Sequence, residues 1–284
     1  MQKILFLGYG PIASSIISSL LASETEYAIE VITSKLTDSS PKGFKVSDPL
    51  IWIRDQQSIH VDVVINSWRD LGEDLNSSRF QILKRLPLNP NLTIINLSSV
   101  AVYGECEYPK TENSGLSPKN LYGIKKLELE DIISSLPFFK VINLRISNVF
   151  GHPIFRDFLN NAIDSYLTRK TFLIRNSDLI FRDFISIDDV QTIIQLLINE
   201  NTFFAFEKRV DINIGSGESY SLGRVLDALQ EVCASRIVSM EEIAPADTIM
   251  KSFINTTKMN NSFHIKHENS LSLMQKEFLK RISS

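Results

Sequence analysis

The chain has 284 residues, of which 43% are hydrophobic and 22% are charged, and its formal net charge is −3. This composition is typical of a globular protein with enough apolar residues for a sizeable core. The slightly acidic balance, without a long run of lysine or arginine, argues against nucleic acid or an anionic membrane as a partner and favours a small molecule.

Neither a targeting signal nor a metal site is indicated. The N-terminal MQKILFLGYG has only a short apolar run before glycine, too short for a signal peptide, and no long apolar stretch follows. The two cysteines, Cys106 and Cys233, have no histidine cluster near them, so we expect reduced thiols and no metal. A cytoplasmic location is therefore expected.

Apolar, β-rich segments alternate with helical patterns through the first two-thirds of the chain. Strands are predicted at KILFL, AIEVIT, VDVVIN, LTIINLSS and KVINLRIS, and helices at PIASSIISSLLAS, from Asp74 to Arg85, and at NLYGIKKLELEDIISSL. Nearly continuous apolar strands indicate a parallel sheet that is buried on both faces. The alternation predicts an α/β fold with a Rossmann-type doubly wound parallel sheet.

The later segments extend this pattern before it weakens. FISIDDVQTIIQLLINE predicts a strand that runs into a helix, VDINIGSG another strand, and SLGRVLDALQEVCA a helix with Ser221 as its N-cap. Residues 243–284 are more polar and less regular. We predict a dinucleotide-binding core over residues 1–150, to which residues 180–232 return, and a small C-terminal substrate-binding lobe from residues 151–179 and 233–284.

A glycine-rich loop joins the first predicted strand to the first predicted helix. Gly8, Gly10 and Ala13 form the pattern G-x-G-x-x-A. The first glycine allows a tight turn, the second lets the backbone approach a pyrophosphate, and the small third residue lets helix and strand pack closely. Pro11 suits the first helical turn. We predict a dinucleotide site here, with Pro11 and Ile12 among its residues; the alternative is a glycine turn that binds nothing.

The end of the second predicted strand bears on which dinucleotide binds. An acidic residue about 20 positions after the loop binds the ribose hydroxyls of NAD, whereas a cation accommodates the 2′-phosphate of NADP. The strand ends in VITSK, with Ser34 and Lys35 and no carboxylate. NADP is therefore favoured over NAD, although Lys35 equally suits a solvated loop. Ser67, directly after VDVVIN, is a further candidate for cofactor binding.

Tyr122 and Lys126 occur at helical spacing in the segment SPKNLYGIKKLELED. Residues four apart in a helix return to nearly the same face, one turn along the axis. Such pairs also occur in helices without a catalytic role, so the spacing alone fits an ordinary exposed helix face as well. Other motifs must decide between the two interpretations.

Five further motifs follow the glycine loop in the order of one known family. They are SSVAVYG at residues 98–104, YGIKK at 122–126, LRISNVFGHP at 144–153, RDFISIDDV at 182–190 and NIGSGESYS at 213–221. The sequence thereby resembles the extended branch of the short-chain dehydrogenase/reductase superfamily, especially its nucleotide-sugar epimerases, dehydratases and reductases. The resemblance spans residues 4 to about 222. One departure is Leu7, which replaces the first of the family's three glycines.

The resemblance implies a catalytic set of Ser99, Tyr122 and Lys126. In the family the tyrosine transfers a proton, the lysine also binds the nicotinamide ribose of the cofactor, and the serine hydrogen-bonds the substrate oxygen. Ser98 is the alternative to Ser99. Lys125, three residues after Tyr122, is less favoured than Lys126.

The chemistry agrees with this assignment. A tyrosine phenol has an ordinary pKa of about 10 and is a weak acid or base near neutrality. Lowering that pKa by about three units requires roughly 4 kcal/mol of phenolate stabilisation. A cation about 4 Å away supplies about that much at an effective dielectric constant near 20, before desolvation subtracts from it. A lysine one helical turn away therefore suits the reaction.

Asn148 and Arg182 are candidates for substrate binding. By resemblance the guanidinium of Arg182 contacts the diphosphate of a nucleotide sugar, a bidentate contact that suits arginine. The alternative is a partly buried arginine paired with Asp183 or Asp189. Asn148 is a pocket residue by resemblance or else stabilises a turn. Asp188 and Asp189 are expected to cap the helix that follows them.

The leading hypothesis is an NADPH-dependent reductase of a nucleotide-diphosphate 4-keto-6-deoxyhexose, in deoxysugar biosynthesis for surface polysaccharides. A reductase uses a cofactor that leaves after each turnover, and NADPH is the reducing pool of the cell. The resemblance also implies a homodimer. No nucleic acid, membrane or metal is part of the prediction.

Three alternatives stay open. A nucleotide-sugar 4-epimerase would keep tightly bound NAD and return the hydride to the substrate. A 4,6-dehydratase is less favoured, because that branch usually has Thr-Asp-Glu where this chain has SSVAV. A catalytically silent NADPH-binding protein would be expected to lack the tyrosine or the lysine, and this chain has both.

Overall fold

The computed structural model describes residues 1–34, 43–54, 60–70, 72, 77–86, 92–105, 107–137, 140–151, 157–199, 208–265 and 268–283. The chain forms two compact units. The first comprises Met1–Ser98, Ile124–Leu144 and Ile194–Ile212, and the second comprises Ser99–Gly123, Arg145–Ile193 and Asn213–Ser284. Each unit therefore depends on contacts between residues that are far apart in the sequence.

A seven-stranded sheet forms most of the first unit. Its strands are β1 (Gln2–Leu7), β2 (Tyr27–Ile32), β3 (Lys45–Ser47), β4 (Val63–Asn66), β5 (Thr93–Ser99), β6 (Lys140–Ile146) and β10 (Arg209–Ile214). Their order is β10-β6-β5-β4-β1-β2-β3, and the pairs β1–β2, β1–β4, β2–β3 and β4–β5 run parallel. The strand order reverses at β1, as in a doubly wound sheet.

Helices cover this sheet because its strands are apolar on both faces. They are α1 (Pro11–Leu21), α2 (Pro49–Arg54), α3 (Ser78–Arg85), α4 (Leu121–Ser135) and α6 (Ile187–Asn199). One buried cluster joins Leu5 and Ile94 of the sheet to Trp52 of α2, Leu83 of α3 and Leu129 of α4. A parallel sheet requires such cover, because its strands expose no polar face to water.

The second unit contains two small sheets and the remaining helices. Strands β7 (Asn148–Phe150), β9 (Phe181–Ser186) and β11 (Ser219–Ser221) form one sheet, and β8 (Phe172–Arg175) pairs in parallel with β12 (Ser239–Glu242). The helices are α5 (Phe158–Thr168), α7 (Leu222–Glu231), α8 (Thr257–Phe263) and α9 (Ser270–Ile282). Phe150, Ile163, Phe184, Val225 and Phe278 are among the residues of its core.

The predicted doubly wound parallel sheet is confirmed. The five predicted strands of the first two-thirds of the chain correspond to β1, β2, β4, β5 and β6. Ser221 caps α7 as predicted, because its Oγ accepts a hydrogen bond from the backbone N–H of Arg224 at 3.1 Å. The predicted domain ranges stay a prediction.

Some predicted elements differ from the structure. Helix α3 begins at Ser78, because Ser77 has non-helical dihedral angles and caps it through the N–H of Phe80; Asp74, the predicted start, lies outside the described residues. The segment after residue 243 is more regular than predicted, since it contains α8 and α9. The apolar stripe of α9, which includes Met274 and Phe278, is buried, but polar residues separate its members in the sequence.

The cap of α6 also differs from the prediction. The helix begins at Ile187, and Ser186 caps it by accepting a hydrogen bond from the backbone N–H of Asp189 at 3.0 Å. Asp188 and Asp189 therefore lie inside the first turn. Their carboxylates are favourable there because the N-terminus of a helix is electropositive.

Candidate active site

The glycine loop forms a tight turn at the end of β1, within the first unit. Gly8 has φ +97° and donates its N–H to the carbonyl oxygen of Ile32 at 2.9 Å. A Cβ at this position would lie 2.8 Å from Cδ1 of Trp68. Glycine is therefore required at position 8 both by the backbone conformation and by the lack of space.

The start of α1 fits a bound pyrophosphate. Gly10 is the N-cap, makes no side-chain capping bond, and is followed by Pro11 at the first helical position. A Cβ on Gly10 would meet no described atom within 4 Å. The first-turn N–H groups thus face a region without a side-chain cap, as anion binding at a helix N-terminus requires.

The other predicted cofactor residues lie around this turn. Ile12 is half-buried in the first turn of α1, and Ser34 is exposed just after β2. Ser67 donates its hydroxyl to the carbonyl oxygens of Leu7 and Gly8 at 3.0 and 3.1 Å, so it braces the turn. Lys35 lies outside the described residues.

Lys126 is buried on α4 in the first unit, with 5% of its surface exposed. Its Nζ donates to the carbonyl oxygens of Leu97 at 2.7 Å and Trp68 at 2.9 Å. Burial lowers the pKa of Lys126 to about 8, while the charges of Asp70 and Glu130 raise it. Lys126 thus titrates close to physiological pH.

Ser98, the alternative catalytic serine, is engaged elsewhere. Its Oγ donates to Oε1 of the buried Glu130 at 2.5 Å, within the first unit. This bond orients the Ser98 hydroxyl toward α4. Of the two serines, only Ser99 lines the cavity described next.

Ser99, Tyr122, Asn148 and Arg182 line one cavity of about 290 Å³ in the second unit. The remaining lining residues come from the turn after β5, the start of α4, the end of β6 and the segment before residue 253: Val100, Ala101, Asn120, Ser147, Asp247, Thr248, Ile249 and Ser252. Four of the predicted catalytic and substrate residues are therefore adjacent to one space. Lys126 follows Tyr122 by four residues on α4.

A short 3-10 turn, Val100–Tyr103, presents Ser99 to this cavity. Ser99 caps the turn by accepting a hydrogen bond from the N–H of Ala101 at 3.2 Å. A serine hydroxyl both accepts and donates, so this cap leaves the hydroxyl hydrogen of Ser99 able to bind a substrate oxygen.

Gly123 allows α4 to begin close to this turn. A Cβ on Gly123 would lie 2.5 Å from the carbonyl oxygen of Ala101. Asn120 holds the start of the helix by accepting a hydrogen bond from the N–H of Gly123 at 2.9 Å. These contacts bring Tyr122 to the cavity wall, where 37% of its surface is exposed.

Asn148 and Arg182 lie on the neighbouring strands β7 and β9. The amide nitrogen of Asn148 donates to the carbonyl oxygen of Asp183 at 2.9 Å. Arg182 donates through Nη1 to the carbonyl oxygens of Phe181 at 2.8 Å and Met250 at 3.4 Å. Asn148 therefore links two strands, a structural contact other than the predicted turn, and also lines the cavity.

Burial lowers the pKa of Arg182, whereas Glu105 and Tyr108 raise it. The alternative that pairs Arg182 with Asp183 or Asp189 is not observed among the described residues, where the guanidinium of Arg182 donates to backbone carbonyl oxygens instead. Asp183 is fully buried and instead accepts hydrogen bonds from the N–H and Oγ of Ser216.

Several cavity residues had no signal in the sequence. Asp247, Thr248, Ile249 and Ser252 come from the irregular segment between β12 and α8, and no motif indicated them. Asn120 was recognisable in principle, since it is the first residue of the predicted helix, and asparagine is favoured at an N-cap. Distant segments that converge on one space leave no local pattern in the sequence.

Within the described ranges no group of three or more His, Cys, Asp or Glu side chains could hold a metal ion. In the same part of the chain, every helix is too short or too polar to cross a bilayer. Cys106 lies outside these ranges, and Cys233 is a half-buried free thiol.

Residues 80–215 match the sequence model of the NAD dependent epimerase/dehydratase family. A comparison with curated protein sequences finds no match. The matched range contains the predicted catalytic residues Ser99, Tyr122 and Lys126.

Solved structures of low sequence identity share the fold. UDP-glucose 4-epimerase from Bifidobacterium longum, in complex with NAD+ and UDP, has a TM-score of 0.81 at 20% identity over 99% of this chain and 98% of that one. dTDP-glucose 4,6-dehydratase from Bacillus anthracis, with NAD, has a TM-score of 0.82 at 16% identity over 100% and 97%. UDP-glucuronic acid 4-epimerase from Bacillus cereus, with UDP-glucuronic acid and NAD, has a TM-score of 0.77 at 20% identity over 99% of this chain and 100% of that one.

These matches agree with the motifs. The family model covers the motifs from SSVAVYG to RDFISIDDV, and the shared fold extends over the whole chain. The resemblance is therefore confirmed: the chain is similar in sequence to the NAD dependent epimerase/dehydratase family and has the fold of the extended short-chain dehydrogenase/reductase nucleotide-sugar epimerases and dehydratases.

Proposed function

We propose that the protein is an NAD(P)-dependent oxidoreductase of a nucleotide-diphosphate sugar, and specifically an NADPH-dependent reductase of a nucleotide-diphosphate 4-keto-6-deoxyhexose. The observation that carries the proposal is the cavity lined by Ser99, Tyr122, Asn148 and Arg182, with Lys126 one turn after Tyr122. In this proposal the second unit binds the sugar nucleotide and the first unit binds the dinucleotide.

The side chains have distinct roles in the proposed reduction. The phenol of Tyr122 gives its proton to the carbonyl oxygen of the substrate, and the hydroxyl of Ser99 hydrogen-bonds the same oxygen. The ammonium of Lys126 stabilises the phenolate that remains. The bound dinucleotide supplies the hydride. Arg182 binds the diphosphate, and Asn148 contacts the sugar.

The residues around the glycine loop would hold the dinucleotide. Gly8, Gly10, Pro11 and Ile12 form the turn for the pyrophosphate, Ser67 braces it, and Lys126 binds the nicotinamide ribose. NADP is proposed over NAD because Ser34, at the end of β2, is an exposed hydroxyl and not a carboxylate. A clear preference for NADH in binding would contradict this part of the proposal.

A nucleotide-sugar 4-epimerase with tightly bound NAD is the second candidate. It is supported by the matched family model and by the two 4-epimerases of similar fold, both solved with NAD. A 4,6-dehydratase is less favoured. The positions where that branch usually carries its additional acid and base lie in the turn Val100–Val102, whose side chains are apolar and buried.

Replacing Tyr122 by phenylalanine tests the proposal. Wild-type protein should oxidise NADPH in the presence of one member of a panel of nucleotide-diphosphate 4-keto sugars. Y122F should lose this turnover, because the proton donor is removed, and should keep its affinity for NADPH. Wild-type turnover in Y122F would end the proposed role of Tyr122. Binding of NADPH without oxidation across the panel would support the catalytically silent alternative.

Nucleotide released from denatured protein separates the two leading candidates. Stoichiometric NAD that copurifies with the protein would favour the epimerase, whereas a reductase should release little. The proposal also includes a role in deoxysugar biosynthesis for surface polysaccharides, a cytoplasmic location and a homodimer. Light scattering of the purified protein tests the oligomeric state.

A further inference from the structure

Glu130 is a completely buried carboxylate on the helix that carries Lys126. It follows Lys126 by four residues, as Lys126 follows Tyr122. Residues at this spacing are neighbours on one side of a helix. Both side chains are buried, and the charge of Glu130 raises the pKa of Lys126.

Both side chains attach α4 to the end of β5 within the first unit. Nζ of Lys126 donates to the carbonyl oxygen of Leu97 at 2.7 Å, and Oγ of the next residue, Ser98, donates to Oε1 of Glu130 at 2.5 Å. Strand β5 thus holds both side chains, since Ser98 donates a hydrogen bond to Glu130 and Leu97 accepts one from Lys126.

The charges around Lys126 differ in how strongly water screens them. Asp70 raises the pKa of Lys126, but its side chain is partly exposed and paired with Arg79 at 2.6 Å. Arg69 is exposed and lowers that pKa. Arg209, half-exposed on β10, lies 3.8 Å from Oε2 of Glu130. Among these groups only Glu130 is fully buried, so solvent screens its charge least.

We propose that Glu130 is a positioning residue that keeps the amino group of Lys126 protonated and, through Lys126, keeps Tyr122 able to transfer a proton. The consequence for Tyr122 depends on the proposed function. The effect on the Lys126 ammonium does not. The competing explanation is that Glu130 is purely structural and only satisfies Ser98.

Replacing Glu130 by glutamine separates these explanations. Glutamine has nearly the same shape and keeps an oxygen that accepts from Ser98, but it has no charge. Removal of the carboxylate disfavours the ammonium form, so Lys126 should lose its proton at lower pH. The titration midpoint of Lys126, near 8 in the wild type, should fall by about one pH unit in E130Q.

The midpoint is measured by NMR on unliganded protein labelled with ¹³C-lysine, from the Cε chemical shift against pH. The signal is assigned by its loss in K126R. E128Q is the matched control, because Glu128 is an exposed residue of α4 that pairs with Lys125. The midpoint should be unchanged in E128Q. An E130Q midpoint equal to that of the wild type would overturn the inference.

A second variant keeps the test valid if E130Q does not fold. Arg209 is half-exposed, and R209Q removes the cation near Glu130. The negative charge of Glu130 is then no longer partly cancelled by Arg209, so it stabilises the ammonium of Lys126 more strongly. The titration midpoint of Lys126 should therefore rise by a few tenths of a pH unit. An unchanged or lower midpoint in R209Q would contradict the inference.

The kinetic consequence is measured separately on the keto-sugar substrate. In E130Q the alkaline limb of the pH profile of kcat should shift to lower pH by the same amount as the NMR midpoint, and in E128Q it should not move. If the wild type has no turnover, the proposed function fails while the NMR result still decides the role of Glu130. If the wild type turns over the substrate but E130Q shifts neither the alkaline limb of the kcat profile nor the titration midpoint of Lys126, only the inference about Glu130 fails.

Discussion

Ser98 and Ser99 show how neighbouring residues of one type acquire different roles. Successive side chains of a strand point to opposite faces. Ser98 therefore meets the buried Glu130 of α4, whereas Ser99 caps the turn that follows β5 and lines the cavity. The motif alone left both serines as candidates, and the alternation of the strand favours Ser99.

Alanine at each position should separate the two roles. S99A should lower kcat by roughly 10²-fold, because a donor to the reacting oxygen is lost, with little loss of stability. S98A should leave kcat within a few-fold but lower the free energy of unfolding by about 1–3 kcal/mol, since Oε1 of Glu130 loses its donor. Steady-state kinetics and urea denaturation of both variants measure this. The reverse pattern would make Ser98 the catalytic serine.

Asp183 should make stability depend on pH. Burial raises its pKa to about 7, although the N–H and hydroxyl of Ser216 lower it. Its ordinary value is about 3.9, so between about pH 4 and pH 7 the folded protein binds a proton that the unfolded chain does not. The stabilisation from that proton is present in full at low pH and is lost as the pH rises through 7.

Replacing Asp183 by asparagine tests this dependence, because asparagine does not titrate. Relative to the wild type, the free energy of unfolding of D183N should rise by on the order of 2 kcal/mol between pH 5 and pH 8. Urea denaturation at the two pH values measures it. A difference between the two proteins that is the same at both pH values would contradict the raised pKa.

Helix α4 shows a conflict between local propensity and packing. Glycine is a poor helix former, yet Gly123 stands in the first turn of the helix. The structure explains it by the close approach of the turn Val100–Tyr103, where a side chain at position 123 would collide with the carbonyl oxygen of Ala101. Helix propensity is thus overridden by the contact that brings Tyr122 to the cavity.

Alanine at position 123 should therefore destabilise the protein. In an open helix this change would add about 1 kcal/mol of stability, but here the backbone must shift, at a cost of about 1–3 kcal/mol. Turnover should fall as well, because Tyr122 moves with the helix. Thermal denaturation and kcat measure both effects.

G115A is the matched control for G123A. A Cβ at Gly115 would meet no described atom within 4 Å. The same substitution there should change stability by less than about 0.5 kcal/mol. A stabilised G123A would show that the close approach does not constrain the helix.

The sequence predicted some elements better than others, for physical reasons. Strands such as β1 and β5 are apolar on both faces, so their signal survives without knowledge of the fold. The helices α8 and α9 were missed for two reasons. Helix α9 buries only one narrow apolar stripe, so most of its sequence is polar, and helix α8 is too short to show a clear period. Their stability comes from tertiary contacts of residues such as Met274 and Phe278.

A chain of side-chain hydrogen bonds, from three buried asparagines to a carboxylate, crosses four strands of the central sheet. Asn66 donates to Asn96 at 2.8 Å, Asn96 to Asn143 at 2.8 Å, and Asn143 to Asp211 at 2.7 Å. These residues lie on β4, β5, β6 and β10, and all belong to the first unit. Each isolated asparagine is unremarkable in the sequence, and only the strand order makes them partners.

Leucine at position 96 should interrupt this chain. It would leave the donor of Asn66 and the acceptor of Asn143 unsatisfied, so N96L should lower the free energy of unfolding by roughly 2–4 kcal/mol. Urea denaturation measures this. In the double variant N66L/N96L the loss should be smaller than the sum of the two single losses, because both partners of one hydrogen bond are then apolar. A loss in the double variant equal to the sum of the two single losses would contradict the hydrogen bond between Asn66 and Asn96.

The sequence by itself determined the doubly wound fold, the glycine loop and the Tyr122 and Lys126 pair. Each of these depends on a local pattern, namely apolar runs, loop glycines or helical spacing. The tertiary structure alone decided which serine faces the cavity, which residues beyond position 240 complete it, and that Glu130 is buried together with Lys126. Those features arise where distant segments meet, and burial there sets both hydrogen-bond partners and proton affinity.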